Sequence, residues 1–199
     1  MPLIPYPQAA AFQTEVELNH APSDVALVSP FSDEVHAVRY GPGSWSGRIQ
    51  IVRTEAHGFD DVGAEITVQA GLIEAWIAAM DGPAAVSEIP IHRPVPTVPD
   101  GTTVGSHTTS DDIVTTVISA AIAGVRAGHY LRIGRRLYLV RSAATGTQLV
   151  LHPQFSGNVG AVVTAGTTVR AARRTGSVVS SVWTSEFAGP WAVPIIERP

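Results

Sequence analysis

The stretch Tyr130-Leu131-Arg132-Ile133-Gly134-Arg135-Arg136-Leu137-Tyr138-Leu139-Val140 decides the fold class. Gly134-Arg135 stands between two apolar runs as a two-residue loop with glycine first, as a type II′ hairpin turn wants. Tyr130 and Leu131 on one arm, and Leu137 to Val140 on the other, leave neither face of the ribbon polar. Such a hairpin is expected to be a buried wall of a barrel or sandwich, not an open ribbon.

Working outward, short β segments surround the hairpin: Thr102 to Val104, Thr115 to Ser119, Gln148 to Leu151 and Val159 to Val169. Upstream, Phe12 to Leu18 is a possible strand, and Val35 to Tyr40, Arg48 to Arg53 and Ser87 to Ile91 read as extended. In the Arg48 segment, Ile49 and Ile51 alternate with Arg48 and Gln50, the pattern of a half-buried strand. One helix is expected over about 67–81, where Ala70, Ile73, Ile77 and Met80 recur at spacings of three and four. Thr67 is its candidate N-cap, and Asp81-Gly82-Pro83 stops it. Pro94, Pro96 and Pro99 then make a stiff linker. The expectation is a mainly β chain with one short helix. An N-terminal arm (1–24) precedes a β-sandwich- or barrel-like base domain (25–96 with 174–199), and a barrel-like β module (97–173) is inserted into it.

Composition narrows the chemistry. The 199 residues include 18 glycines and 15 prolines, which favour short strands and turns over long helices. There is no cysteine, which removes disulfides, thiolate metal sites and a cysteine nucleophile together. The apolar run Ile113 to Val125 is interrupted by Thr115, Thr116, Ser119 and Gly124, and falls short of the roughly 20 apolar residues of a spanning helix. The start, Met1-Pro2-Leu3-Ile4-Pro5, carries neither a basic region nor an apolar core of the signal-peptide kind. A soluble protein is expected, with no membrane insertion.

Charge is segregated along the chain. All 13 basic residues are arginine. Through Asp112 there are 15 acids and 4 arginines, net −11; from Ile113 there are 9 arginines and 2 acids, net +7. Separated signs imply an oppositely charged surface nearby, either within the chain or on the next subunit. Phosphate is the less favoured partner because the acidic half and a pI near 5.9 repel it, so no nucleic-acid specificity is expected.

No motif carries catalysis. His20, His36, His57, His92, His107, His129 and His152 include no pair at i,i+2 or i,i+4, so no metal or other cofactor is expected. Asp60-Asp61 and Asp111-Asp112 border glycine- or threonine-rich loops, where solvation or helix capping explains them. No serine sits in a Gly-x-Ser-x-Gly elbow, and Gly41-Pro-Gly-Ser-Trp-Ser-Gly47 lacks the glycine spacing and helix of a dinucleotide site. Among the tryptophans, Trp76 reads as packing, while Trp45, Trp183 and Trp191 lie near strand ends where aromatics close a sandwich or anchor an interface. The candidate interface residues are therefore Arg170, Arg173 and Arg174, Asp60 and Asp61, and Trp183 and Trp191.

Two stretches resemble the distal tail (tail hub) proteins of long-tailed bacteriophages and related gene-transfer particles. One is Trp45-Ser-Gly-Arg48, followed by Ile73-Glu-Ala-Trp-Ile-Ala-Ala-Met-Asp-Gly82 and Ile89-Pro-Ile91. The other is Val125-Arg-Ala-Gly-His-Tyr-Leu-Arg-Ile-Gly134, with Arg136-Leu-Tyr-Leu-Val140 and Leu149-Val-Leu-His-Pro153. The two stretches run over 45–91 and 125–153. The resemblance implies a non-enzymatic structural protein of the virion tail, assembled in the host cytoplasm. It further implies a ring of copies, commonly a hexamer, joining the tail tube to the baseplate or fibres. A carbohydrate-binding β module that recognises a host surface is the alternative, with exposed tryptophans as its stacking platform.

Overall fold

The computed structural model describes residues 3–6, 14–21, 24–28, 35–39, 44–51, 54–55, 71–81, 85–110, 113–173, 179 and 187–198. Two compact units divide the chain: Met1–Asn19, Ser46–Pro90 and Arg170–Pro199 form one, and His20–Trp45 with Ile91–Val169 forms the other. The architecture is mainly β with one short helix.

The base unit is built on a mixed six-stranded sheet. Its strands are β1 (Leu3–Ile4), β2 (Thr14–Ala21), β5 (Ser44–Ile51), β7 (Val86–Pro90), β14 (Thr168–Arg173) and β16 (Trp191–Glu197), in the order β1-β7-β14-β16-β5-β2. β1 runs parallel to β7, whereas β16 pairs antiparallel with both β14 and β5. β16 alternates strictly, burying Trp191, Val193 and Ile195, and Ile49 and Ile51 of β5 are buried beside them. Helix α1, described over 71–79, turns Ile73, Trp76, Ile77 and Met80 inward at the expected three- and four-residue spacing. One hydroxyl ties three elements together: Ser87 Oγ on β7 accepts from Trp76 Nε1 (3.1 Å) and donates to the Ile4 carbonyl (2.9 Å). The Tyr6 ring stands edge-on to Trp76 at 5.2 Å. Part of the expected N-terminal arm is thus sheet and core. Thr67 and Gly82-Pro83, the expected helix ends, lie outside the described residues.

The second unit holds an antiparallel sheet of β8 (Val104–Ser110), β9 (Ile113–Ile118), β10 (Tyr130–Ile133), β11 (Arg136–Ala143), β12 (Gln148–His152) and β13 (Val163–Ala165). Their order is β13-β10-β11-β12-β9-β8. The two outer strands meet. Thr103 bridges Val162, and Val104 N–H donates to Ala161 O (2.9 Å), Gly160 N–H to Val104 O (2.7 Å) and Val163 N–H to Thr102 O (2.8 Å). Closure makes the sheet a six-stranded barrel and removes its free edges along that seam. Val104, Ile118, Leu131, Ile133, Tyr138, Val140, Leu149, Leu151, Phe155 and Val163 fill the inside.

The hairpin expected at Tyr130–Val140 forms with the expected two-residue loop, Gly134 taking a φ of 60°. Both its faces are covered: Leu131 and Tyr138 point into the barrel, while Leu137 on the other face is only 1% exposed. Elsewhere β8 runs on to Ser110, past the Val104 expected from sequence. The span Val159 to Val169, read as one strand, is broken by a turn at Val159-Gly160 and by Gly166. Gly166 is where the chain passes too close for a side chain, since a Cβ there would lie 2.8 Å from the Tyr130 carbonyl carbon. The prolines at 94–99 line the barrel unit instead of spanning free space: Pro94 O accepts from Tyr130 N–H (2.9 Å), and Pro96 is buried. For that reason the unit begins at Ile91 and not at 97. It also takes in His20–Trp45, where β3 (Asp24–Val28) and β4 (Val35–Arg39) form a hairpin.

Candidate functional site

The expected interface residues fall in different surroundings. Arg173 on β14 holds Asp81 at the end of α1, with 2.8 Å between Nη1 and Oδ1, and its side chain is only 17% exposed. One arginine of the basic half is therefore matched to an acid of the acidic half within a single molecule. Arg170, three residues earlier on β14, is half-buried, and its backbone carbonyl accepts from Arg198 N–H (2.9 Å). Trp191 is 1% exposed, so it packs inside the base unit and is not available as a surface anchor. Asp60, Asp61, Arg174 and Trp183 lie outside the described residues.

Exposed arginines lie on the barrel unit. Arg126, Arg135 and Arg141 are exposed and, among the described residues, pair with no carboxylate. Arg126 instead donates through Nε to His129 Nε2 at 3.3 Å. Arg141 is displaced outward by a bulge, because β11 gains one residue against β12 between Val140 and Ser142. Arg135 sits at the tip of the β10–β11 turn. Arg135 lies at the turn end of the β10–β11 hairpin, whereas Arg126 and Arg141 lie beyond its opposite end, where Gly128 N–H donates to Val140 O; the exposed guanidinium groups are spread along the barrel unit.

A cluster of four rings was not legible in the sequence. Tyr130, Leu139 and His152 are direct neighbours across β10, β11 and β12, on the face opposite the barrel core. Trp45 of β5 lies over them, its ring 6.0 Å from Tyr130 and 6.2 Å from His152, and its Nε1 donates to Leu137 O (2.9 Å). His20, near the end of β2, stands edge-to-face with Trp45 at 5.3 Å and with His152 at 4.2 Å. Isolated in sequence, the two histidines show no metal or helix spacing; barrel register sets His152 beside Leu139 and Tyr130, and the end of β2 brings His20 against it.

The His152 pKa lies below the ordinary 6.5, chiefly because burial disfavours the imidazolium, and then because His20 and Arg141 are close. The unfolded chain accordingly takes up a proton near pH 6.5 that the folded chain refuses until lower pH. This contribution to stability is full above pH 6.5 and is lost as pH falls through the folded-state value. Thermal melting followed by tryptophan fluorescence should show a lower midpoint at acidic than at neutral pH, with the difference reduced in His152→Gln. An identical pH dependence in the two proteins contradicts the assignment.

Chemically, the cluster offers two imidazoles, a phenol and an indole, with no nucleophile described beside them. No group of three or more His, Asp or Glu side chains among the described residues is placed to hold a metal ion. No described helix is long and apolar enough to cross a membrane. No protein-family model matches the chain, and no curated protein matches it.

Proposed function

We propose that this chain is a structural protein of a bacteriophage tail, a distal tail hub whose copies form a ring joining the tail tube to the baseplate or fibres. The observation that supports this reading is how the resembling segments are built. Val125–Gly134, Arg136–Val140 and Leu149–Pro153 contribute three adjacent strands of one closed barrel, β10, β11 and β12. Trp45–Arg48 and Ile89 belong to strands of the base sheet, and α1 lies between them in sequence. A ring repeats one head-to-tail contact, so each copy needs two unlike surfaces. The exposed arginines of the barrel supply one, and the acid-rich first half of the chain supplies the other.

Sugar recognition has less support. Trp45 and Trp76 are each 4% exposed and Trp191 1%, so none of these three offers a face on which a pyranose could stack. Negative-stain imaging of purified protein at low salt is expected to show annular particles of uniform diameter, and glycan addition is expected to leave tryptophan fluorescence unchanged. A field of single-chain particles, or quenching that saturates with a glycan, contradicts the reading.

A further inference from the structure

Rings from four strands meet on the outer wall of the barrel, and two of them are imidazoles in contact. The His20 ring stands 4.2 Å from the His152 ring and 5.3 Å from that of Trp45. Both His20 and Trp45 belong to the barrel unit, as the first and last residues of its His20–Trp45 segment. Trp45 is buried against the wall by its Nε1 hydrogen bond to Leu137 O (2.9 Å) and by the rings of His20, Tyr130 and His152.

A proton taken up by His152 meets no counter-charge there. Among the described residues, His152 makes no hydrogen bond and no ion pair. The groups that face it are His20 from β2, Trp45 from β5, Leu139 and the Arg141 guanidinium from β11, and Tyr130 of β10 beyond Leu139. On β12 itself Val150 shares this face, with Thr115 of β9 opposite Val150, and both are uncharged. A charged imidazole gains some attraction from aromatic faces. Burial and the neighbouring His20 and Arg141 outweigh that attraction, because His152 holds its proton less tightly than an ordinary imidazole. The proton is therefore bound more readily once the rings separate.

We propose that the His20–His152 contact is an acid-operated latch: charge on the imidazoles parts them, the Trp45 ring leaves the barrel wall, and the Tyr130–Leu139 surface beneath it is uncovered while the barrel stays folded. The barrel interior, packed by Leu131, Val140, Leu149 and Leu151 on the opposite face, takes no part in the titration. The latch is closed at neutral pH and opens as pH falls below 6.5, where the parted His152 binds the proton that the closed cluster refuses. Within that window each unit of pH raises the ratio of open to closed by up to about tenfold per proton taken up. The latch does not depend on the ring reading.

The test is tryptophan emission and acrylamide quenching of the full chain from about pH 7.5 down to about pH 5, the range of histidine titration, with far-ultraviolet circular dichroism followed in parallel. Wild type is expected to show a reversible red shift and increased quenching on acidification, at constant circular dichroism. Trp45→Phe should lose the shift because it removes the reporter, and His152→Gln should lose it because it removes the proton site. Should His152→Gln fail to fold, His152→Phe keeps a ring at the position without a group that titrates. Emission that stays constant down to the acid end overturns the latch. So does a shift that persists in Trp45→Phe or is equal in the His152 variant. A shift that runs in step with loss of circular dichroism overturns it in favour of acid unfolding of the whole chain.

Discussion

Gly47→Val is expected to destabilise the base unit by about 3 kcal/mol or more, at or beyond the upper end of ordinary overpacking. Gly47 lies in β5 where β2 crosses closest, and a Cβ built there would land on the Glu17 carbonyl oxygen and within 3.1 Å of the Leu18 Cα. These are backbone atoms, so no rotamer change relieves the clash, and β2 has to leave its place in the sheet. The exposed Arg48–Glu17 ion pair at 3.6 Å would be lost with it, at little further cost because surface pairs contribute little. Gly71 is the internal control. A Cβ there meets nothing within 4 Å, and Gly71→Ala should be neutral or stabilise the helix by up to about 1 kcal/mol. Urea unfolding of the two variants checks both signs. A Gly47→Val protein as stable as wild type would mean that β2 does not lie against β5.

Leu131→Ala is expected to cost about 2–5 kcal/mol, the range for emptying a well-packed leucine site. Leu131 is fully buried inside the barrel, among Ile133, Tyr138, Val140 and Val163. It pairs across to Tyr138 on one side and Ala165 on the other, so hydrogen-bonded strands flank it and restrict collapse of the cavity. Leu139, its near neighbour in the same hairpin, points to the opposite face and is only half-buried. Leu139→Ala should therefore cost clearly less. The difference between two leucines of one ribbon, read by denaturant unfolding, measures the alternation on which the barrel rests. Equal losses at the two positions would contradict the register.

Local pattern carried much of this architecture. The Tyr130–Val140 hairpin, the alternation of Ile49 and Ile51 and the three- and four-residue spacing of Ile73, Ile77 and Met80 are short-range signals, and each element formed where its period pointed. Closure of the barrel was not readable, because the meeting of Thr103 and Val162 depends on pairing between distant segments and leaves no local mark. The run Val159 to Val169 misled for a related reason: its valines fit a strand, while Gly160 and Gly166 break it. Trp191 looked like an anchor because it starts a strand, yet β16 is interior to its sheet and the alternation that buries Val193 and Ile195 buries it as well. The four-ring cluster escaped notice because His20, Trp45, Tyr130 and His152 share no spacing at all. The charge asymmetry was visible at once, but Arg173 shows that a count over half a chain does not say which guanidinium meets which acid.

Whether unlike charged flanks join separate copies is tested most directly by sedimentation of the purified chain across a salt series. The Debye length shortens from about 10 Å at 0.1 M salt to about 3 Å at 1 M, so contacts steered by exposed arginines weaken over that range. The account predicts a closed assembly at the low end, with a mass that is a whole multiple of 20.9 kDa, giving way to smaller species at the high end. A mass of one chain throughout the series, at high protein concentration, would contradict it.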